Sequence, residues 1–192
     1  MSIGIMDKNK PSAQHAVKII IFLGIWVCAA VTKTFEHPSL LISPAQKKDM
    51  PACTNICMLP ENLPHLFPEF NETQMSTFLK NAQKSSMYKF LIAQKKNTIV
   101  GLAVCFKENS KTWNIDILAV NRKHQRQGIG SHLLSAIKKI SQSTKTPTSL
   151  IVKRSNQPAI SCYTKQQFRL VKSYGTDPGS YQEFQFVPPN LP

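Results

Sequence analysis

Apolar and polar positions in residues 88–120 fall into three runs, YKFLIAQ, TIVGLAVCFKE and WNIDILAV, divided by the polar links KKN and NSK. Such runs, bounded by turn formers, read as strands, and links this short make neighbours antiparallel, so a meander is predicted. The period changes after Gly128. Ile129, Leu133, Ile137 and Ile140, with Leu134 beside them, share one helical face while His132, Lys138, Lys139 and Gln142 lie elsewhere, which predicts an amphipathic helix ending by STKTP. SLIVKR then reads as a strand, and SNQPAISCYTKQQ as a short helix capped by Ser155 or Asn156 with Pro158 in its first turn. FRLVKSY and YQEFQFV flank the turn GTDPGS as a closing hairpin. Upstream, TNICML reads as a short strand. PENLPHLFPEF and ETQMSTFLKNAQK read as two short helices broken by Pro64 and Pro68, the second with Met75, Phe78, Leu79 and Ala82 at helical spacing. Together these elements predict an α/β fold, a mixed sheet layered with helices.

The first fifty residues follow another pattern. IIIFLGIWVCAAV, residues 19–31, is uncharged and preceded by Lys8, Lys10 and Lys18, like the n-region and h-region of a signal peptide. A membrane span needs about 20 apolar residues, which the wider segment 17–35 reaches only with help from its flanks. It reads as a membrane anchor, a signal-like segment or a helix packed on its own domain. Residues 32–51, with Pro38, Pro44 and Pro51, read as a linker, so the expected division is an extension over 1–51 and one domain over 52–192.

Composition sharpens this picture in two places. A formal net charge of +14 points to an anionic partner or to a lysine-rich solvated surface. The cations are dispersed and no basic motif is interleaved with aromatics, so nucleic acid is not expected. Cys28, Cys53, Cys57, Cys105 and Cys162 form an odd set without paired C-x-x-C units or a histidine at metal spacing, which indicates neither a disulfide framework nor a zinc site, but reduced thiols in a cytoplasmic setting.

The candidate chemistry lies in NRKHQRQGIGSHLL, residues 121–134. The segment leaves a strand at Val120 and enters a helix, so the amides near Gln125 to Gly130 are the unpaired donors of a helix N-terminus. Gly128 and Gly130 allow close approach to the backbone, while Arg122, Lys123 and Arg126 add positive charge, a cradle suited to a diphosphate. The spacing fits neither the dinucleotide fingerprint nor the Walker phosphate loop.

QRQGIG, residues 125–130, follows directly on ILAV, residues 117–120, and NQPAISCYTKQQF, residues 156–168, supplies an Asn, an Ala, a Tyr and a closing Phe. In order and separation these two blocks match the Gln/Arg-x-x-Gly-x-Gly/Ala hallmark and the second block of the GNAT superfamily of N-acetyltransferases, which the chain resembles over about residues 52–187. One departure is Gln167, where many relatives carry Gly. The resemblance implies a GNAT-like acyl-CoA N-acyltransferase fold, acetyl-CoA as co-substrate, no metal, and an acceptor bearing an amine. It implies that Leu118, Ala119 and Val120 bind the pantetheine arm through their backbone and that SLIVKR splays away to admit it. The Leu118 amide would polarise the acetyl carbonyl, and Gln125, Arg126, Gln127, Gly128, Ile129, Gly130 and Ser131 would hold the diphosphate. Asn156 would bind near the pantetheine, and Tyr163 would protonate the departing thiolate. Transfer would be direct attack by a neutral amine in a ternary complex.

The acceptor ammonium must also lose a proton. Asp116, an acid inside the apolar run NIDILAV, is the candidate base, and strand alternation places it on the face of Leu118 and Val120, opposite Ile115 and Ile117. Between Met50 and Leu79 there is no Lys or Arg, whereas Glu61, Glu69 and Glu72 lie there. In relatives this region borders the acceptor entrance, so Glu69 and Glu72 are candidates for drawing in a primary amine; the other reading is that of solvated glutamates favoured at a helix start. Cys162 reads as a small apolar residue rather than a nucleophile, since nothing in the sequence brings a histidine to it. The functional alternatives are a non-catalytic acyl-CoA-binding module and a basic nucleic-acid-binding protein.

Overall fold

The computed structural model describes residues 40–108, 111–177 and 179–189. Seven strands, β1 (Leu41–Pro44), β2 (Tyr88–Lys95), β3 (Thr98–Glu108), β4 (Thr112–Val120), β5 (Thr148–Lys153), β6 (Arg169–Tyr174) and β7 (Tyr181–Phe186), form one sheet in the order β1-β2-β3-β4-β5-β7-β6. β2, β3 and β4 make the expected antiparallel meander. β5 runs parallel to β4, and β7 inserts between β5 and the edge strand β6.

Helices cover both faces. α1 (Met50–Met58) and α2 (Glu72–Lys84) bury Cys53, Cys57, Met75 and Leu79 against Ile92, Leu102, Val104 and Ile117. On the other face α3 (Ile129–Ser143) and α4 (Gln157–Lys165) bury Leu133, Leu134, Ile137 and Tyr163 against Leu91, Ala103, Leu150 and Phe184. Gly101 of β3 lets α3 lie close, because a Cβ there would stand 3.1 Å from Ile129 Cγ2 and 3.3 Å from Leu133 Cδ1.

The upstream region departs from expectation. TNICML is not a strand: Thr54 to Met58 end α1 and Leu59 caps it. The helix's buried positions, Met50, Cys53, Thr54 and Cys57, have helical spacing, and Thr54 Oγ1 donates back to the Met50 carbonyl at 3.0 Å. A reading that begins at Thr54 cuts through this period. PENLPHLFPEF forms only a 3-10 turn at Leu63–His65, since prolines at 64 and 68 withhold the amides a longer helix needs. Part of the expected linker is folded as well: β1 (Leu41–Pro44) pairs with β2, and α1 begins at Met50. The apolar segment 17–35 lies outside the described residues. Among the described residues no helix is long and apolar enough to cross a membrane.

Candidate active site

The site begins where the sheet comes apart. β4 and β5 pair only at Trp113–Thr148, Asn114–Ser149 and Ile115–Leu150, after which β4 runs on to Val120 and β5 to Lys153 without a shared ladder. The backbone of β4 beyond Ile115 is therefore bonded to β3 on one side and offers its other edge to a ligand.

A bulge decides which side chains face that opening. Val104 pairs with Ile117 and Cys105 with Ile115, so Asp116 is the extra residue. As a result Trp113 and Ile115 join the α3/α4 layer, Ile117 and Ala119 join the α1/α2 layer, and Leu118 and Val120 turn toward α3 and α4. The expected alternation, with Asp116 on the face of Leu118 and opposite both isoleucines, is broken here. Burial lifts the Asp116 carboxyl from its ordinary 3.8 to about 6. Tyr88, packed in the α1/α2 layer, is itself pushed up by burial and then by the Asp116 charge.

Beyond β4 the chain makes a short turn, Arg122–His124, with Asn121 Oδ1 accepting from the Lys123 amide at 3.1 Å. Arg126 at φ 58° and Gly128 at φ 77° are both left-handed, a bend that gathers successive amides on one side. The amides of Arg126, Gln127, Gly128, Ile129, Gly130 and Ser131 donate to no protein group among the described residues. The buried Nδ1 of His124 likewise has no partner among the described residues. Unmet donors at a helix start, with Arg122, Lys123 and Arg126 beside them, fit a phosphorylated cofactor.

An open cleft of about 620 Å³ joins these parts. Of the residues expected to bind a cofactor, Leu118, Val120, Gln125, Arg126, Gly128, Ile129, Gly130, Ser131 and Asn156 line it, as does Tyr163. Ala119 is turned into the α1/α2 core, and the Gln127 side chain is engaged with Lys95 Nζ at 3.0 Å and the Lys123 carbonyl at 3.2 Å. Asp116, Glu69 and Glu72 are not among the lining residues. The two glutamates are exposed, Glu72 in the first turn of α2.

Tyr163 is only 8% exposed, its phenol pushed upward by burial, and its hydroxyl has no hydrogen bond among the described residues. Its ring centroid lies 6.2 Å from that of Phe168 and 6.4 Å from that of Phe184, which fixes its plane. Asn156 caps α4, its Oδ1 accepting from the Ala159 amide at 3.3 Å, which leaves its amide group for the cleft.

The strap Glu61–Leu66, in a stretch expected to be helical and to border the acceptor entrance, adds Glu61, Asn62, His65 and Leu66 to the lining. It is tied to both diverging strands. Asn62 Nδ2 donates to the Val120 carbonyl at 3.4 Å and to that of Ile56 at 2.8 Å, while Lys153 Nζ donates to the Pro64 carbonyl at 3.3 Å. Glu61 Oε1 accepts from the Arg122 amide at 3.1 Å. No periodicity announces such a segment; Pro60, Pro64 and Pro68 are its signal in the sequence. Among the described residues no three His, Cys, Asp or Glu side chains are grouped to hold a metal ion.

The model of the acetyltransferase (GNAT) family matches residues 55–168. No curated protein matches the chain. Among solved structures, a GNAT-family acetyltransferase from Streptococcus pneumoniae is 18% identical, with TM-score 0.64 over 79% of this chain and 100% of that one. The ribosomal-protein-S18-alanine N-acetyltransferase of Escherichia coli is 21% identical, with TM-score 0.61 over 80% of this chain and 99% of its own. YncA of Salmonella typhimurium, solved with its cofactor acetyl-CoA, is 16% identical, with TM-score 0.65 over 80% and 96%. At these identities the likeness is one of fold.

Proposed function

The chain belongs to the acetyltransferase (GNAT) family, and from that premise we propose that it is an N-acetyltransferase that moves the acetyl group of acetyl-CoA to a primary amine, a small amine or a peptide or protein amino group, by direct attack in a ternary complex. The observation that carries the reading is the coincidence, in one cleft, of the unmet amides of residues 126–131, the parted edge of β4 and the unpartnered Tyr163 hydroxyl. Acetyl-CoA, when bound, supplies the activated acetyl group.

The amides of 126–131 with Arg122, Lys123 and Arg126 hold the diphosphate, and the free edge of β4 from Leu118 to Val120 holds the pantetheine arm. Asn156 binds beside that arm. The Leu118 amide, a fixed dipole that needs no reorganisation, stabilises negative charge on the acetyl oxygen. Tyr163 gives its proton to the departing sulfur; with its phenol pushed up by burial it stays protonated at neutral pH, as an acid must. For the proton leaving the acceptor, Asp116 stands outside the cleft, and Glu61 and His65 on the strap are the side chains at hand. Such a reaction belongs in a compartment supplied with acetyl-CoA, which favours a cytoplasmic setting for residues 52–192; association of segment 17–35 with a membrane is compatible with it.

The test is a screen of amines and peptides with detection of free CoA, beside calorimetry of acetyl-CoA binding. Binding with turnover on an amine supports the reading. Binding without turnover on any acceptor favours the non-catalytic acyl-CoA-binding alternative, and absence of binding removes both.

A further inference from the structure

Four free cysteines lie among the described residues, and they are not equivalent. Cys53, Cys57 and Cys105 are buried, and burial pushes the first two thiols up to about 12 and the third higher still, so they carry almost no thiolate at neutral pH. Cys162 alone of the four is half-exposed, and it lines the cofactor cleft. Its Sγ lies 3.7 Å from Ser131 Oγ and 3.8 Å from the place a Cβ on Gly130 would take, over the first turn of α3. The cleft at that point is built for a ligand: the adjacent Tyr163 is 8% exposed, lines the same cleft, and has a hydroxyl with no partner among the described residues. Nothing in the acetyl transfer proposed above uses the Cys162 thiol.

We propose that Cys162 is a thiol–disulfide exchange site inside the cofactor cleft, which takes up CoA from CoA disulfide and, while so modified, excludes acetyl-CoA. The inference rests on the reading of this cleft as the acetyl-CoA site. The Cys162 thiolate attacks one sulfur of CoA–S–S–CoA, the original S–S bond breaks, a Cys162–S–S–CoA bond forms, and the departing CoA thiolate takes up the proton that Cys162 lost. The disulfide is itself the oxidant, and a dithiol reverses the step. The arriving group carries the same diphosphate that the amides of 126–131 are placed to hold, so the cleft retains this reagent, and its flexible pantetheine arm folds back to bring a disulfide sulfur to Cys162 beside Gly130. Other small disulfides, glutathione disulfide among them, share the chemistry but lack that anchor.

The full-length chain is incubated with CoA disulfide or with glutathione disulfide, the adducts are assigned by peptide mass mapping to separate Cys162 from Cys28, and acetyl-CoA binding is measured by calorimetry before treatment, after it, and after a dithiol. We expect a Cys162–CoA adduct that forms faster than the glutathione adduct, loss of acetyl-CoA binding in proportion to it, and recovery on reduction. Cys162→Ser and Cys162→Ala should each show the same affinity in treated and untreated samples. No adduct at Cys162, equal rates with the two disulfides, or a full adduct with unchanged acetyl-CoA affinity overturns the proposal while leaving the cofactor site standing. Failure of the untreated protein to bind acetyl-CoA overturns both.

Discussion

The Lys138 ammonium donates to Gln167 Oε1 at 2.9 Å and to the Gln166 carbonyl at 3.1 Å, bracing a non-glycine residue held at φ 67°. The same ammonium lies 4.7 Å from the centre of the Phe186 ring. Many relatives place Gly at the position of Gln167, where left-handed backbone is free of the roughly 1 kcal/mol or more that a Cβ adds. This chain carries a side chain there and ties it to α3. The brace matters to the site because the Tyr163 carbonyl accepts from the Gln166 and Phe168 amides, both at 3.0 Å. Lys138→Met is expected to lower unfolding stability by about 1–2 kcal/mol, the worth of two hydrogen bonds and a cation–π contact. Adding Gln167→Gly should recover part of that loss. Denaturant midpoints of the two single variants and the double variant check it, and strictly additive losses would show that the pair does not act as a brace.

Tyr163→Phe keeps the ring contacts with Phe168 and Phe184 and removes only the hydroxyl. Turnover should fall about a hundred- to ten-thousand-fold, the ordinary range for a lost general acid, with little change in acetyl-CoA affinity. Stopped-flow or steady-state rates beside calorimetry separate the two. A variant with full activity would leave Tyr163 a packing residue.

The two glycines of the helix entrance should respond differently. Gly128 sits at φ 77°, a conformation that a β-branched residue resists, so Gly128→Val is expected to abolish acetyl-CoA binding with the fold retained. At Gly130 a Cβ would meet nothing nearer than Cys162 Sγ at 3.8 Å, an ordinary contact. Gly130→Ala should therefore bind acetyl-CoA within about a few-fold of the parent, a difference of under roughly 1 kcal/mol. Calorimetry on both variants tests the contrast.

These elements were legible because their signals are local. The meander, α3, β5, α4 and the closing hairpin each follow from a period or a turn within a dozen residues, and six of the nine expected cofactor residues that line the cleft lie in the QRQGIG and Asn156–Phe168 blocks. What escaped depends on pairing across the chain. The face of Asp116 is set by a register shift opposite Val104 and Cys105, and the insertion of β7 between β5 and β6 by the partners that strand finds. The strap is set by Asn62 and Lys153 reaching strands far away in sequence. Periodicity counts residues along one segment and carries none of this.

Asp116 gives a pH signature. Its carboxyl rises from an ordinary 3.8 to about 6 through burial, so the folded state prefers the protonated form and the unfolded state the charged one. Between those values the folded chain binds more protons than the unfolded one, so this group's contribution to stability is greatest below pH 3.8, declines as pH rises, and is fully unfavourable above about 6. Asp116→Asn should raise stability at pH 7 and flatten the stability profile between pH 4 and 6. Chemical denaturation at several pH values checks this, and an unchanged profile would show that another group titrates there.

For the amine acceptor proposed above, one glutamate rather than three is placed to meet its charge. Glu69 and Glu72 are exposed and absent from the lining, and at about 0.15 M salt their field is screened within roughly 8 Å. Glu72 has a local reason to be acidic, since it stands in the first turn of α2 where the helix dipole favours a negative side chain. Glu61 is different: it lines the cleft with Tyr163, and one of its oxygens is held by the Arg122 amide, which orients the carboxylate. An ammonium entering beneath the strap meets Glu61 as the carboxylate among the lining residues. Glu61→Gln should therefore raise the KM for a primary amine several-fold, about 1 kcal/mol of binding, while the KM for acetyl-CoA holds. The double reversal of Glu69 and Glu72 to Lys should leave amine KM nearly unchanged and cost about 0.3–1 kcal/mol of stability at the start of α2. Steady-state kinetics with one amine acceptor decide the matter: a raised KM in the double reversal with none in Glu61→Gln would return acceptor attraction to the outer pair.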